Sequence, residues 1–343
     1  MGEGEMIQLE PIDYLETLVH QALPLWNIKS KAELKLLSYS ENATFLVSVG
    51  SDRWVLRVNR PHYHTENGIR SELAWMKALR EDTGLETPLA IQGLNGDVLQ
   101  FINEPKTNTQ RTMSLFHFIE GKHPESEDLV SAFHQLGNMT AQLHQHVKQW
   151  QRPAFFERMH WDVEGAFGQK PNWGHWKSGF ATQIEGIEVV EKASLHMQQR
   201  LKRYGQSHER YGLIHSDFRT ANLFVHEGKT KILDFDDCGF GWYLYDLASS
   251  MTFLELHEDR DEIIASWLSG YFEIAPLAEV DLIEIPTFML FRRLIIMGWA
   301  GSHPDTELAR EMGVQYTIDT VEFAKQYLSN QIFDHHKLYK KGA

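Results

Sequence analysis

A chain of 343 residues is about twice the size of a typical domain, so two domains or one large two-part unit with a sizeable core is expected. With 42% hydrophobic and 23% charged residues the composition is that of a globular protein, and no apolar run approaches the roughly 18 residues that would cross a bilayer, so no membrane partner is predicted. The net charge of −14 disfavours attraction to a nucleic-acid backbone, and the acidic start Met1-Gly2-Glu3-Gly4-Glu5-Met6 lacks a secretory signal, which predicts a cytoplasmic protein. Cys238 is the only cysteine and can form neither an intrachain disulfide nor a thiolate zinc cluster. Of the 18 histidines, His144 and His146, His62 and His64, and the adjacent His335 and His336 lack ligand-like spacing and are expected to be structural or on the surface.

In chain order, β-branched and aromatic residues predict strands over Leu34–Tyr39, Thr44–Val49, Trp54–Val58, Val98–Ile102 and Met113–Phe118. One helix interrupts them, Glu66–Arg80, with Ile69, Leu73, Met76 and Leu79 on one stripe and Gly84 as the stop signal. This is a small α+β region. Beyond Glu120-Gly121-Lys122-His123-Pro124 the pattern turns helical, with Ser126 as an N-cap and Leu129, Val130, Phe133, Leu136, Leu143 and Val147 repeating on one face. Trp150–Lys177 is irregular and dense in Trp, Gly and Pro, and its aromatic content argues against disorder. Helices are predicted over Phe180–Tyr204, Leu244–His257, Glu262–Phe272, Ile283–Trp299 and Asp305–Leu328. Between the first of these and the rest lies a hairpin over Leu213–Phe235 that turns at Glu227-Gly228-Lys229.

The chemistry-bearing pattern is His215-Ser216-Asp217-Phe218-Arg219-Thr220-Ala221-Asn222, followed by Lys231-Ile232-Leu233-Asp234-Phe235-Asp236-Asp237. His, Asp and Asn stand in the spacing H-x-D-x-x-x-x-N, and a second Asp closes an apolar strand. Phosphoryl transfer needs an aligned acceptor hydroxyl and cations on the phosphate oxygens rather than covalent help. Asp217 would orient the hydroxyl or take its proton. Asn222 and Asp234 would supply the hard oxygens that Mg2+ prefers.

These residues carry a resemblance. "HSDFRTANL" and "ILDFDD" resemble the catalytic loop and metal-binding motif of the aminoglycoside phosphotransferase, choline kinase and type II homoserine kinase superfamily, distant relatives of protein kinases. Upstream, "SYSENATFLV" resembles the phosphate-covering strand pair, "WVLRV" the nucleotide-lysine strand, "SELAWMKAL" the glutamate helix and "SLFHFIEG" the hinge; downstream, "GWYLYDLASS" resembles the helix that braces the catalytic loop. The resemblance implies an α+β, bilobal protein-kinase-like fold. Residues 1–113 would be the nucleotide-binding lobe with a small antiparallel sheet, 114–121 the hinge, and 122–343 a mainly helical catalytic and acceptor-binding lobe. It also implies a small-molecule kinase that uses Mg2+ and ATP or GTP. Arg57 would pair with Glu72 and the nucleotide, Asn42 or Thr44 would cover the phosphates, and Leu115, Phe116, His117, Phe118 and Ile119 would meet the base. Asp246 would hold the backbone near His215. The chain departs from the pattern at Arg57, where lysine is usual, and at Ser216, where glycine is frequent, and no Gly-rich loop precedes Val47.

The acceptor is expected to carry a hydroxyl and an amine, or to be a hydroxyamino acid. Asp236 and Asp237 could bind metal or its cation, or one of them cap the following turn, and Trp161, Trp173, Trp176, Trp242 and Trp299 could line its pocket or pack in the core or between the lobes, with Trp173, Trp176 and Trp242 the acceptor candidates. Arg292 and Arg293 sit on an otherwise apolar helix, and at least one is expected to face a cleft or an ion pair, Arg292 as a candidate acceptor ligand. No oligomeric state follows from these residues. The alternatives are a Ser/Thr protein kinase of the same superfamily, against which stands the short run between Asp237 and Asp246, and a nucleotide-binding module without catalysis.

Overall fold

The computed structural model describes residues 10–28, 31–40, 42–104, 109–123 and 129–332. The predicted N-cap Ser126 and the pair His335 and His336 lie outside these residues. The chain divides into two compact units, one running up to Gly121 and taking in Arg152–Glu157, the other made of Lys122–Gln151 and everything from Arg158 onward.

The first unit opens with α1 (Ile12–Ala22), ahead of every predicted element; Leu15, Leu18, Val19 and Ala22 recur at helical spacing and are all buried. Then come β1 (Glu33–Tyr39), β2 (Ala43–Val49), β3 (Asp52–Val58), α2 (Glu66–Thr83), β4 (Ala90–Ile91), β5 (Leu99–Asn103) and β6 (Gln110–His117). The strands form one antiparallel sheet in the order β1-β2-β3-β6-β4, with β5 also pairing with β6. Apolar residues on one sheet face, among them Phe45, Val47, Leu56, Val58, Met113 and Leu115, meet the buried stripe of α1 to make the core. α2 starts at Thr65, whose hydroxyl accepts the Gly68 N–H at 2.9 Å, and stops at Gly84, where φ of 75° needs a residue without a Cβ.

The second unit begins with α3 (Leu129–Gln149), followed by β7 (His160–Trp161), α4 (Val163–Phe167), α5 (Ile187–Tyr204), β8 (Tyr211–Ile214), β9 (Leu223–His226), β10 (Lys229–Ile232), β11 (Gly239–Trp242), α6 (Leu244–Ser250), α7 (Arg260–Phe272), α8 (Glu279–Ile283), α9 (Ile285–Ser302) and α10 (Glu307–Leu328). α3 and α7 approach closely because each presents a glycine. A Cβ on Gly137 would lie 1.9 Å from the Trp267 carbonyl oxygen, and one on Gly270 1.9 Å from that of His134. Val130, expected on the buried face of α3, is exposed, because the contact face turns through Phe133, Leu136 and Gly137.

Other differences have local causes. The helix expected from Phe180 starts at Ile187, after Gly186 at φ 109°. The helix expected to reach His257 ends at Ser250, after which the chain turns through Phe253 at φ 70°. α10 is interrupted at Gly313, where φ is 49° and ψ −149°. Within the irregular stretch, β7 joins β11 and β8 in a three-stranded sheet. The β9–β10 hairpin turns through Glu227 and Gly228, both at positive φ, as a two-residue hairpin turn requires.

Candidate active site

β8 carries the chain into His215, and everything after it is held by distant backbone and side-chain contacts. Asp246 on α6 is fully buried and accepts the His215 N–H at 3.1 Å and the Ser216 N–H at 2.7 Å. His144 on α3 lies 3.1 Å from the same carboxylate through Nε2, and its Nδ1 is 3.0 Å from the Tyr271 hydroxyl. Ser216 has φ of 68°, the left-handed conformation for which glycine is usual. Asp246 on its N–H, the Arg292 guanidinium 3.2 Å from its carbonyl, and its own hydroxyl donating to the Asp237 carbonyl at 2.6 Å hold it there. The departure from glycine at this position is thereby accommodated.

The hairpin returns the second half of the motif to the first. The Leu233 N–H donates to the Asn222 carbonyl at 2.8 Å, and His215 Nε2 donates to the Leu233 carbonyl at 3.0 Å. His215 Nδ1 is then the acceptor, 3.4 Å from the Asp217 N–H, and burial pushes the His215 pKa down, keeping the ring neutral. Asn222 and Asp234 are brought together in this way.

Asp217 is buried, and three side chains converge on its carboxylate. Arg219 donates from Nε to Oδ1 at 3.0 Å and from Nη2 to Oδ2 at 3.1 Å, Asn222 Nδ2 donates to Oδ2 at 2.8 Å, and Arg292 Nη2 reaches Oδ1 at 2.5 Å. Burial alone would raise the Asp217 pKa, but Arg219 and Arg292 outweigh it and hold the group well below the usual carboxylate range. Arg219 stands inside the motif and was not singled out from sequence; Arg292 was expected at the acceptor and instead meets Asp217, with Thr252, Tyr245 and Ser216 as its other partners.

In the first unit Arg57 and Glu72 form a fork-to-fork pair, both nitrogen-to-oxygen distances 2.7 Å, with Glu72 fully buried on α2. An arginine at the usual lysine position makes two parallel bonds where an ammonium would make one point contact. Thr44 lies opposite Arg57 across β2 and β3. Asn42 accepts the Arg60 N–H at 2.9 Å, so its side-chain oxygen is engaged with the backbone. Leu115 points into the core, which removes its side chain from the residues expected to touch a base. Phe116 lies against Arg57, with 5.5 Å from the guanidinium carbon to the ring centroid, Phe118 takes Arg53 at 4.2 Å, and His117 is exposed, its N–H donating to Leu89. Ile119 is half-buried.

The remaining candidates separate. Trp242 is packed among Tyr211, Phe288 and Phe291, and its indole N–H donates to the Gly205 carbonyl at 2.7 Å, which makes it a core residue and not a pocket wall. Trp173 stays by the site: its ring meets Trp161 edge-on at 4.8 Å and lies 5.6 Å from the Arg292 guanidinium. Trp176 is tilted against His175 and meets Phe180 edge-on. Trp161 donates to the Asp237 carbonyl, and Arg158 to the carbonyls of Asp236 and Cys238, fixing the backbone after Asp234. Trp299 stacks on His303 at 5.0 Å.

Among the described residues no three His, Cys, Asp or Glu side chains gather into a set that could hold a metal alone. The local donors nevertheless suit magnesium. Both Asn222 amide hydrogens point at Asp217, to its carbonyl and its carboxylate, each at 2.8 Å, which leaves Oδ1 as the amide's available oxygen. Asp234, at φ 58° beside it, adds an exposed carboxylate. Two hard oxygens fit an ion that takes its remaining ligands from water and phosphate.

The α+β fold, with its catalytic-loop and hairpin geometry, is that of protein-kinase-like phosphotransferases. The profile of the APH family, the phosphotransferase enzyme family, matches residues 34–280, and the chain belongs to that family. The structure of a microcompartment-associated aminopropanol kinase is 33% identical, covers 93% of this chain and 99% of its own, and superposes with a TM-score of 0.85. Amicoumacin kinase of Bacillus subtilis (strain 168) is 24% identical over 282 residues, spanning 78% of this chain and 80% of that protein. Spectinomycin phosphotransferase shares the fold, with a TM-score of 0.61 at 14% identity over 91% of this chain and 98% of its own. The chain is thus a small-molecule kinase by family. Among the described residues no helix is long and apolar enough to cross a membrane.

Proposed function

We propose that the enzyme transfers the γ-phosphoryl group of ATP, with magnesium, to the hydroxyl of a small amino alcohol. The acceptor oxygen forms the new bond to phosphorus as the bond from phosphorus to the β,γ-bridging oxygen breaks, its electron pair leaving with ADP. Asp217 aligns the hydroxyl. Arg219 and Arg292 keep its carboxylate ionised and fix its direction, so its assigned contribution is orientation, and the proton leaves with the phosphate product or solvent. Asn222 and Asp234 would hold the magnesium ion, whose chemistry is to neutralise charge on the β- and γ-phosphate oxygens. Arg57, set by Glu72, would take a nucleotide phosphate oxygen, with Thr44 on the neighbouring strand and residues 116–119 at the base. A solved amicoumacin kinase complex contains AMP-PNP and Ca2+, in keeping with a nucleotide and a divalent ion.

The observation that carries the choice of acceptor is the engagement of both inward arginines. Arg292 is held by Asp217, and Arg293 by Glu255 at 2.9 Å and Thr320 at 3.1 Å, so neither is poised for a substrate carboxylate. That favours an amino alcohol over a hydroxyamino acid, as does the aminopropanol kinase likeness. Asp236, Asp237 and Trp173 are the groups assigned to the ammonium. Against a protein acceptor stands β11: the residues just after Asp237 pair with β7 and β8 and leave no activation segment.

The test is ADP release, with phosphorus NMR of the product, across aminopropanol, ethanolamine, hydroxyamino acids, aminoglycosides, neutral sugars and nucleosides, with ATP and GTP as donors. Turnover of the amino alcohols supports the assignment. Turnover confined to neutral sugars or nucleosides would sink it.

A further inference from the structure

The two guanidiniums on Asp217 are not equivalent. Arg219 belongs to the same loop and its side chain is 26% exposed, whereas Arg292 comes from the middle of α9 and is 1% exposed. α9 is buried on all sides from Thr287 to Trp299, so a fully desolvated charge there is costly, and an apolar residue would pack at lower cost. Neutralising Asp217 does not require it, since Arg219 already supplies a cation. What Arg292 adds is attachment at several points. It bonds the carbonyl of Ser216 and the carboxylate of Asp217, the groups on either side of the Asp217 Cα, while Tyr245 at 3.1 Å and Thr252 at 3.1 Å anchor the guanidinium from behind. The left-handed Ser216 lies within this grip.

We propose that Arg292 is the positioning residue of the phosphoryl-transfer site, locking the Asp217 carboxylate against the rigid helix α9 so that it presents a fixed face to the acceptor hydroxyl. The inference rests on the reading of Asp217 as the acceptor-aligning group. Arg219, near solvent, can swing away from Asp217 as an acceptor arrives. Arg292, enclosed by four partners, cannot, and the carboxylate keeps its orientation through that exchange. Sub-ångström alignment of reacting groups is worth orders of magnitude in rate, so the effect belongs in kcat and not in ground-state affinity.

The experiment compares Arg292→Lys, Arg292→Met, Tyr245→Phe and Thr252→Val, each corrected for folded fraction, in steady-state transfer from ATP to aminopropanol and in magnesium-dependent ATP hydrolysis. Arg292→Lys keeps the charge but not the fork and is expected to lower kcat about 10- to 100-fold with both KM values within about 3-fold of wild type. Arg292→Met should fall further, so that lysine is a partial rescue. Tyr245→Phe and Thr252→Val leave Arg292 in place and loosen only its anchor. They keep the question open to measurement if Arg292→Met does not fold, and each should lower kcat several-fold at unchanged KM. Folded variants with wild-type kcat, or a loss falling wholly on KM, would overturn the assignment. Asp217→Asn is the control: if it is as fast as wild type, or if wild type acts in neither assay, the reading of Asp217 fails and the inference goes with it.

Discussion

Each unit contains a buried carboxylate gripped by arginine, and the two are built in opposite ways. Arg57 and Glu72 are fifteen residues apart, on adjacent elements β3 and α2, and hold each other through two matched bonds. Asp217 and Arg292 are seventy-five residues apart, and Asp217 also takes Arg219 and Asn222. The first arrangement is a closed pair whose charges cancel locally. The second is a convergence on one carboxylate, supported from beneath by Asp246 and His144. A closed pair should govern folding and the placement of one strand; a convergence should govern the chemistry of the group at its centre.

The largest expected effect tests the closed pair. Glu72→Ala leaves the Arg57 guanidinium buried without its carboxylate, and breaking such a pair from one side costs about 3–5 kcal/mol of stability. Chemical denaturation of the variant would show it. The double replacement of Arg57 and Glu72 by Met should recover most of the stability while nucleotide affinity stays lost. A Glu72→Ala protein as stable as wild type would mean the pair contributes nothing to the fold.

Asp217→Asn tests the convergence. Phosphoryl transfer should fall about 100-fold or more, with nucleotide affinity almost unchanged, because the substitution keeps volume but removes the anion that aligns the hydroxyl. Single-turnover kinetics separates this from a binding defect. A third variant, Asp234→Ala, should lower magnesium-dependent nucleotide affinity about 10-fold or more, since even residues outside a metal's ligand set have effects of that size. Calorimetric titration with and without magnesium reads it, and undiminished metal-dependent affinity would place the ion elsewhere.

The same contrast explains what could be read from sequence. Strands β1, β2, β3, β5 and β6 and helix α2 follow from period and composition, and the hairpin turn from Glu227-Gly228, because these signals are local. The spacing of His215, Asp217, Asn222 and Asp234 is local too; Asn222 bonds Asp217, and His215 and Asn222 bond the Leu233 backbone next to Asp234. What escaped is non-local or short. β4 and β7 have two residues each and β11 four, and they exist only through pairing, β4 with β6, β7 with β11 and β11 with β8. α1 is the exception, a local amphipathic period of Leu15, Leu18, Val19 and Ala22 that lies outside the predicted elements. Arg292 read as a charge in search of a partner, and nothing in the chain between residues 217 and 292 marks Asp217 as that partner. Trp242 read as a pocket wall because composition cannot distinguish an aromatic ring at a surface from one among Tyr211, Phe288 and Phe291.

The smallest expected effect concerns the support beneath the convergence, and it depends on pH. His144 is fully buried; that burial lowers its pKa, and the bond to Asp246 offsets it only in part. The ring is therefore neutral in the folded protein, with Nε2–H donating to Asp246 and Nδ1 accepting from Tyr271. In the unfolded chain the same histidine titrates near pH 6.5. As pH falls through that value the unfolded state takes up the proton first, so the contribution of His144 is present above about pH 6.5 and is lost on acidification toward its lower folded-state pKa. At one pH unit below the unfolded pKa the loss reaches at most about 1.4 kcal/mol. His144→Gln can keep a donor to Asp246 but does not titrate. It should be less stable than wild type at pH 7.5, and the gap should narrow at pH 5.5. The other histidines with lowered pKa, His175, His196 and His215, are common to both proteins and cancel in the difference. Denaturation curves at the two pH values decide it: a gap that widens at pH 5.5 would mean that His144 is protonated against Asp246, and that the catalytic loop rests on an ion pair rather than on a neutral hydrogen-bond chain.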